Sequence, residues 1–408
     1  MNNYSDSRNI ASFLTLGYFL DYSNPHFNIN TFCIDKKKYK NIDEGTLIKT
    51  GSKLWFNAIS ETFDINKEHV VPLSGGLDSR AILAGLLEHT EAGNIRTYTF
   101  GIPGALDYEI GNYVAKKCGT KHTKFNLNNH VYRQDELEDI SKRVRQQTIL
   151  FHHCPVWDAD KLYKGCVVWS GFMGDPLAGS HLQTEPSKSL EEAKKIFIKK
   201  NRYVKSIELK KETTGFSDLI NCELIDLNLL TLDEQLDFQN RQIKYIVPHV
   251  LMEGYAYKTP FLYQPWIDFI LSVDNKHRHK MALYKKILLR SFPKIFSYRT
   301  KTCKGLPLNP SRYQIFVEKV QNKIERFTGI DAKYKYINYM DFNRSIREKP
   351  DLKDIFISNI TDLYKRDIID WIDINKILKD HIENRGNYAD ALITLCSLEI
   401  HLKTGKRL

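Results

Sequence analysis

Val70–His89 reads VVPLSGGLDSRAILAGLLEH. Two β-branched residues and a proline lead into LSGGLDS, Leu73–Ser79, and an apolar run at helical spacing follows. The stretch therefore predicts a strand, a tight turn and a helix. Two glycines, two serines and an aspartate stand between Ser74 and Ser79, where an ordinary turn needs only one or two such residues. Gly75 and Gly76 let the backbone bend sharply and approach a ligand with no Cβ in the way. Because the turn opens a helix, free amide N–H groups and the positive end of the helix dipole converge on one spot, which makes an anion site. Ser74 and Ser79 add hydroxyl donors. Asp78 is out of place there unless a cation joins it, and a carboxylate beside phosphates normally holds Mg2+. A Gly-Gly turn capped by Asp78 and Ser79 is the purely structural alternative.

Outward from this turn the chain alternates strand-like and helix-like stretches. IRTYTFGI, KHTKFNL and GCVVWSGF read as strands; YEIGNYVAKKCG and DELEDISKRVRQQ read as helices between them. Crossovers of that length predict a parallel sheet, an α/β fold with helices on both faces. Before the turn, Leu54, Trp55, Ala58 and Ile59 predict an amphipathic helix over about 47–63, and residues 1–45 read as a leading segment of mixed strands with a basic DKKKYK loop. After about Ser180 the segments become long, charged and helix-period, as in SLEEAKKIFIKKN and RYQIFVEKVQNKIERF. The expected division is a short N-terminal segment (1–64), an α/β core (65–185) and a mainly helical C-terminal part (186–408) that completes the site, with LQTEPSKS near 182–189 as the linker.

The 408 residues carry 42% hydrophobic and 27% charged residues, an ordinary balance for a soluble protein with a buried core. IASFLTLGYFL near the start is too short to span a bilayer, and no leader cleavage pattern accompanies it, so no signal peptide and no membrane span are expected. A net charge of +11 suits anionic partners such as nucleotides, pyrophosphate or nucleic acid, although much of it reflects a lysine-rich composition. Seven scattered cysteines form no C-x-x-C pair, which points away from disulfides and metal clusters and toward a cytoplasmic setting. His152, His153 and Cys154 are adjacent, which is poor geometry for a shared metal.

The pattern S-G-G-L-D-S after an apolar strand resembles the pyrophosphate loop of the ATP pyrophosphatase superfamily, with an adenine nucleotide alpha hydrolase-like fold; it lacks the G-K-[ST] ending of a Walker loop. Further stretches resemble the synthetase domain of asparagine synthetases. RTYTFGIPGALDYEIGNYVAKKCGTKHTKFNL is similar to the segment after their loop, where a strand is followed by an acidic residue and a helix. WSGFMGDPLAG, Trp169–Gly179, is similar to their S-G-x-G-x-D-E-x-x-G-G signature through Ser170, Gly171, Asp175 and Gly179, with Met173 at the second glycine and Pro176 at the second acid. YKKILLRSFPKIFSYRTKTCKG matches their K-x-L-L-R and R-x-K stretches through Lys286, Arg290, Arg299 and Lys301, and KTPFLYQPWIDFIL their P-F-L-D segment. Order and spacing hold over roughly 50–310. The family's glutaminase domain, with its N-terminal cysteine, has no counterpart in the leading segment, and no acid stands between Arg143 and Trp157 where the family carries a glutamate near its substrate.

The resemblance implies an ATP-dependent, AMP-forming carbon–nitrogen ligase that adenylates a small-molecule or peptide carboxylate, releases pyrophosphate, and passes the acyl group to ammonia or an amine. The amine would come from a separate glutaminase or from the same substrate. It implies that Leu73, Ser74, Gly75, Gly76, Asp78, Ser79, Phe100, Gly101, Ser170 and Gly171 bind ATP, that Asp78 and Asp175 hold Mg2+, and that Lys301 and Lys286 stabilise charge on the leaving pyrophosphate and the transition state. Two other readings use the same loop: a tRNA-modifying pyrophosphatase, which the positive charge suits, and a non-catalytic nucleotide-binding scaffold, which Pro176 and the missing glutamate suit.

Overall fold

The computed structural model describes residues 6–22, 34–35, 37–153, 155–223, 229–328 and 335–405. Helices α1 (Ser7–Leu16) and α2 (Glu44–Ser60) come first. The sheet half follows as β1 (His69–Pro72), α3 (Asp78–Leu86), β2 (Ile95–Gly101), α4 (Leu106–Cys118), β3 (Lys121–Asn126), α5 (Gln134–Arg143), α6 (Val156–Tyr163), β4 (Val167–Trp169) and α7 (Gly174–Ala178). Beyond it lie α8 (Leu190–Asn201), α9 (Leu232–Leu236), a π-helical stretch (Asp237–Ile246), α10 (Val247–Val250) and β5 (Ala256–Lys258). The rest is α11 (Gln264–Ser272), α12 (Asn275–Arg278), α13 (Ala282–Ser291), α14 (Pro293–Phe296), α15 (Arg312–Thr328), α16 (Phe342–Glu348), α17 (Pro350–Lys365), α18 (Ile374–Ile382) and α19 (Ala389–Lys403).

The five strands form one all-parallel sheet in the order β3-β2-β1-β4-β5. Both faces are covered. Val71 joins the core that holds α2, α3 and α4, whereas its neighbour Val70 packs with Tyr163 of α6, Cys166 and Val168. Both valines are fully buried, and each such burial contributes roughly 1.5–3 kcal/mol. The fifth strand comes from beyond residue 185: Ala256–Lys258 pairs with Val167–Trp169. From β1 the chain winds one way to β2 and β3, then crosses back to β4. The loops after β1 and β4 therefore part at a topological switch point, where open α/β sheets form their binding crevice.

The leading segment differs from its expected mixed strands. Its apolar run is α1, with Asp6 accepting the Arg8 amide at the N-cap and Gly17 at φ 80° closing the end. Phe13, Leu14 and Leu16 are buried against α19 and neighbouring segments, so the run is covered as a helix of the core. Within residues 1–45 the described parts hold α1, the start of α2 and a single bridge from Tyr18 to Thr148; residues 1–5, 23–33 and 36 lie outside the described residues. The second core is helical and joins α1, α5, α16, α17, α18 and α19. No described helix is long and apolar enough to cross a membrane.

One buried ion pair ties this frame to the crevice. Arg278 and Glu234 are 0% and 1% exposed and meet at 2.6 Å, and Arg278 also donates to the Leu177 carbonyl of α7 at 3.1 and 3.2 Å. Removing one partner leaves an uncompensated buried charge. Arg278→Met should therefore cost about 3–5 kcal/mol in urea unfolding, and adding Glu234→Gln should recover a large part of that loss.

Candidate active site

Leu73–Ser79 joins β1 to α3 and is held from both sides. The Leu73 amide donates to the Tyr98 carbonyl at 2.8 Å, and Thr99 Oγ1 donates to the Leu73 carbonyl at 2.6 Å. Inside the turn the Ser74 amide donates to Ser79 Oγ at 3.2 Å, the two hydroxyls lie 3.1 Å apart, and the Gly76 amide donates to Ser74 Oγ at 3.2 Å. Helix α3 begins at Asp78 with no side-chain cap, so its first amides remain available to an anion. Gly75 is tightly enclosed: a Cβ there would lie 3.1 Å from the Lys301 side chain and 3.2 Å from Asp107.

Lys301 is brought to the turn. Its amide donates to the Gly75 carbonyl at 2.8 Å, and its ammonium reaches Asp107 Oδ2 at 3.0 Å and Asn338 Oδ1 at 2.7 Å. Asp107 completes the bridge by accepting the Gly75 amide at 2.7 Å. Arg80 of α3 holds the same segment from below: fully buried, it donates to the carbonyls of Tyr298 (3.2 Å) and Arg299 (2.6 Å), and burial pushes its guanidinium down to about 10. Lys286 is elsewhere. Its ammonium contacts both oxygens of Glu44 on α2 at 2.6 Å. Two residues along a helix turn a side chain by roughly 200°, and the helix face pointing at the site is the one that carries Tyr284.

The second loop meets the first at Asp78. The Asp175 amide donates to Asp78 Oδ2 at 3.1 Å, and the Tyr284 hydroxyl donates to Oδ1 at 2.9 Å. Gly171 and Gly174 make the approach feasible: a Cβ on Gly174 would stand 2.5 Å from the Asp78 carboxyl carbon, and one on Gly171 2.9 Å from its Cβ. Met173, at the family's second glycine, adopts φ 66°, the left-handed conformation that glycine favours. Its side chain is buried in the core, where packing offsets the backbone cost. Burial, with Asp175 as the second cause, pushes the Asp78 carboxyl up to about 8. Asp175 is half exposed, accepts Ser180 Oγ at 3.1 Å, and lies 3.9 Å from His181 Nε2.

A buried acid whose proton affinity is raised by burial and by a second carboxylate beside it fits a divalent cation. Among the described residues no group of three or more His, Cys, Asp or Glu side chains could bind a metal unaided. Asp78 and Asp175 would thus hold Mg2+ only together with oxygens from a bound phosphate, the usual arrangement for that ion.

A cavity of about 480 Å3 opens over this meeting point, lined by Ser74, Gly76, Asp78, Ser79, Ser170, Gly171 and Asp175, with Phe100, Phe125 and Tyr98 among its walls. Gly101 and Leu73 line a smaller adjoining pocket of about 160 Å3 together with Ser74, Phe100 and Asp107. A run of stacked rings leads on from Phe100 to Tyr339 (5.7 Å) and from Tyr339 to His152 (4.4 Å); His153 and His249 lie 4.1 Å apart beside it. Burial holds all three imidazoles neutral, His152 at about 4 and His153 at about 3. Reading the sequence left Asp107, Tyr284, Asn338, Arg80, Arg241 and His249 unassigned. Asp107 alone had a signal, as the acid that opens the helix after β2.

Residues 64–215 match the family model described as asparagine synthase. No curated protein matches the chain. The turn after β1 and the second loop against Asp78 lie inside the matched residues, while Lys301 and Tyr284 reach in, and Arg241, His249 and Tyr339 line the cavity, from outside them. Over residues 64–215 the chain is similar to the asparagine synthase family.

Proposed function

We propose that this protein is an ATP-dependent ligase that adenylates a carboxylate and transfers the acyl group to ammonia or an amine. The observation that carries the reading is the meeting at one turn of the uncapped start of α3, a lysine bound to the Gly75 carbonyl and two carboxylates, Asp78 and Asp175. The amides of the turn and of α3 bind the triphosphate, with the Ser74 and Ser79 hydroxyls beside them. Phe100 and Gly101, at the end of β2, border the nucleotide. Lys301 neutralises charge that builds on pyrophosphate as it leaves, and a fixed cation in a partly dry site is worth most there. Asp78 and Asp175 hold Mg2+, which when bound would screen the phosphates from the substrate carboxylate.

The substrate carboxylate attacks the α-phosphorus and expels pyrophosphate. An uncharged amine then attacks the acyl carbon, AMP leaves, and a proton is lost from nitrogen. The protein orders the two reactants over the turn, and that ordering supplies much of the rate. Lys286 stays with Glu44 and supports the packing of α13 on α2. The test is carboxylate-dependent exchange of labelled pyrophosphate into ATP, screened over a panel of acids with purified protein. Exchange with at least one acid, lost on removing Mg2+, supports the reading. ATP binding without exchange for any acid leaves a nucleotide-binding scaffold, and exchange that requires RNA moves the reading to nucleic-acid modification.

A further inference from the structure

Asp107 stands second in α4, where an acid ordinarily supports the first turn of its own helix. Its carboxylate is spent elsewhere. Oδ1 accepts the Gly75 amide at 2.7 Å, and Oδ2 accepts from the Lys301 ammonium at 3.0 Å. These donors are a backbone amide of the turn after β1 and the cation proposed for the leaving pyrophosphate. One carboxylate thus bridges an amide and an ammonium as a phosphate would. Both ends of the bridge are fixed without it. The Lys301 amide donates to the Gly75 carbonyl at 2.8 Å, and Asn338 Oδ1 also accepts from the ammonium at 2.7 Å. On α4, the Leu106 amide donates to the Lys335 carbonyl at 3.0 Å and the Gly104 amide to Glu109 Oε1 at 2.9 Å. The Asp107 side chain is 35% exposed and borders the 160 Å3 pocket beside Ser74 and Gly101. A carboxylate displaced from the bridge is therefore rehydrated rather than buried.

We propose that Asp107 is an internal stand-in for pyrophosphate: it holds the Gly75 amide and Lys301 in position, gives them up when the triphosphate arrives, and takes them back as pyrophosphate leaves. The proposal rests on the ligase reading. A carboxylate and a phosphate cannot share these two donors, because two anions would then stand in contact. Nucleotide binding therefore competes with an anion of the protein's own, and the apparent affinity is lowered by the fraction of molecules in which Asp107 holds the donors. The same competition favours release. Pyrophosphate brings several charges to a turn built for anions, and a carboxylate tethered beside that turn retakes its donors without diffusing to them. Asp107 touches the groups that hold the leaving group and not the reacting atoms, so it is a positioning residue.

Calorimetric titration of the full chain, with Mg2+ present, against inorganic pyrophosphate, a non-hydrolysable ATP analogue and AMP tests this. Asp107→Ala should bind pyrophosphate and the ATP analogue about 10- to 100-fold more tightly than the wild type, the size of a charge-assisted hydrogen bond. AMP, which lacks the two outer phosphates, should stay within about 3-fold. Asp107→Asn, which keeps an acceptor for the Gly75 amide and loses the charge, should fall between. Glu109→Gln removes one charge from the same helix start without touching Gly75 or Lys301, and should leave pyrophosphate within about 3-fold. A gain of affinity sets this apart from a structural role, since a loosened turn binds anions less well. If Asp107→Ala does not fold, Asp107→Asn carries the test. Pyrophosphate affinity that is unchanged or weaker in the Asp107 variants, an equal gain for AMP, or an equal gain from Glu109→Gln overturns the proposal. If the wild-type protein binds neither pyrophosphate nor the ATP analogue, it is the ligase reading that falls.

Discussion

Asp78→Asn should lower pyrophosphate exchange by about 10^3-fold, some 4 kcal/mol of transition-state stabilisation, while leaving the folded protein at least as stable as the wild type. The two effects share one cause. Asp78 sits where both loops close, with Tyr284 and the Asp175 amide on its oxygens and two glycines pressed against it. Its carboxyl is pushed up to about 8 by burial and then by Asp175. For an acid raised above its ordinary value of 3.8, the folded state disfavours the anion, so stability falls as pH rises past that ordinary value and levels off above about pH 8. Asparagine removes the charge and keeps the shape; its amide can donate to the Tyr284 oxygen while its carbonyl accepts from Asp175. Thermal melts from pH 4 to 8, without nucleotide or Mg2+, should show a flatter profile for the variant. A variant that loses its fold together with its activity would make Asp78 a structural residue and remove its claim on a cation.

The parts of this site that could be read from sequence are the contiguous ones. A turn carries its chemistry within seven residues, Leu73–Ser79, so two glycines, two serines and an acid before a helical run announce it without knowledge of the rest. The parallel sheet was legible for a similar reason: Val70 and Val71 face opposite sides, and a strand buried on both faces reads as an unbroken apolar run. What stayed hidden depends on how distant segments are folded together. Strand β5 has only three residues and a weak pattern, and its membership in the sheet is decided by pairing to β4. Tyr284 belongs to no contiguous motif, and the face of α13 that meets Asp78 is set by its packing on α2.

The resemblance to the K-x-L-L-R and R-x-K stretches implied both Lys286 and Lys301, and they should separate by orders of magnitude on substitution. Lys301→Gln should reduce exchange by about 10^3-fold, within the range for removing a fixed electrostatic group from a reacting centre. The geometry behind this is short-range. The Lys301 amide is bound to the Gly75 carbonyl, so its side chain starts at the turn itself, and Asp107 and Asn338 hold the ammonium in place. The segment is secured again by buried Arg80 through the carbonyls of residues 298 and 299. The Asp107 contact also implies an exchange of partners: a phosphate arriving at the Gly75 amide meets a lysine already poised within reach. Lys286→Ala, by contrast, breaks an ion pair whose partners are both nearly half exposed, Lys286 at 47% and Glu44 at 44%. Screened surface pairs contribute about 0–1 kcal/mol, so its exchange rate should stay within about 3-fold of wild type and its unfolding midpoint should barely move. Exchange assays on the two variants at saturating ATP check the contrast. A Lys286 variant that loses as much activity as the Lys301 variant would mean that α13 turns its basic face to the nucleotide during turnover, and the assignment of the leaving-group lysine would pass to Lys286.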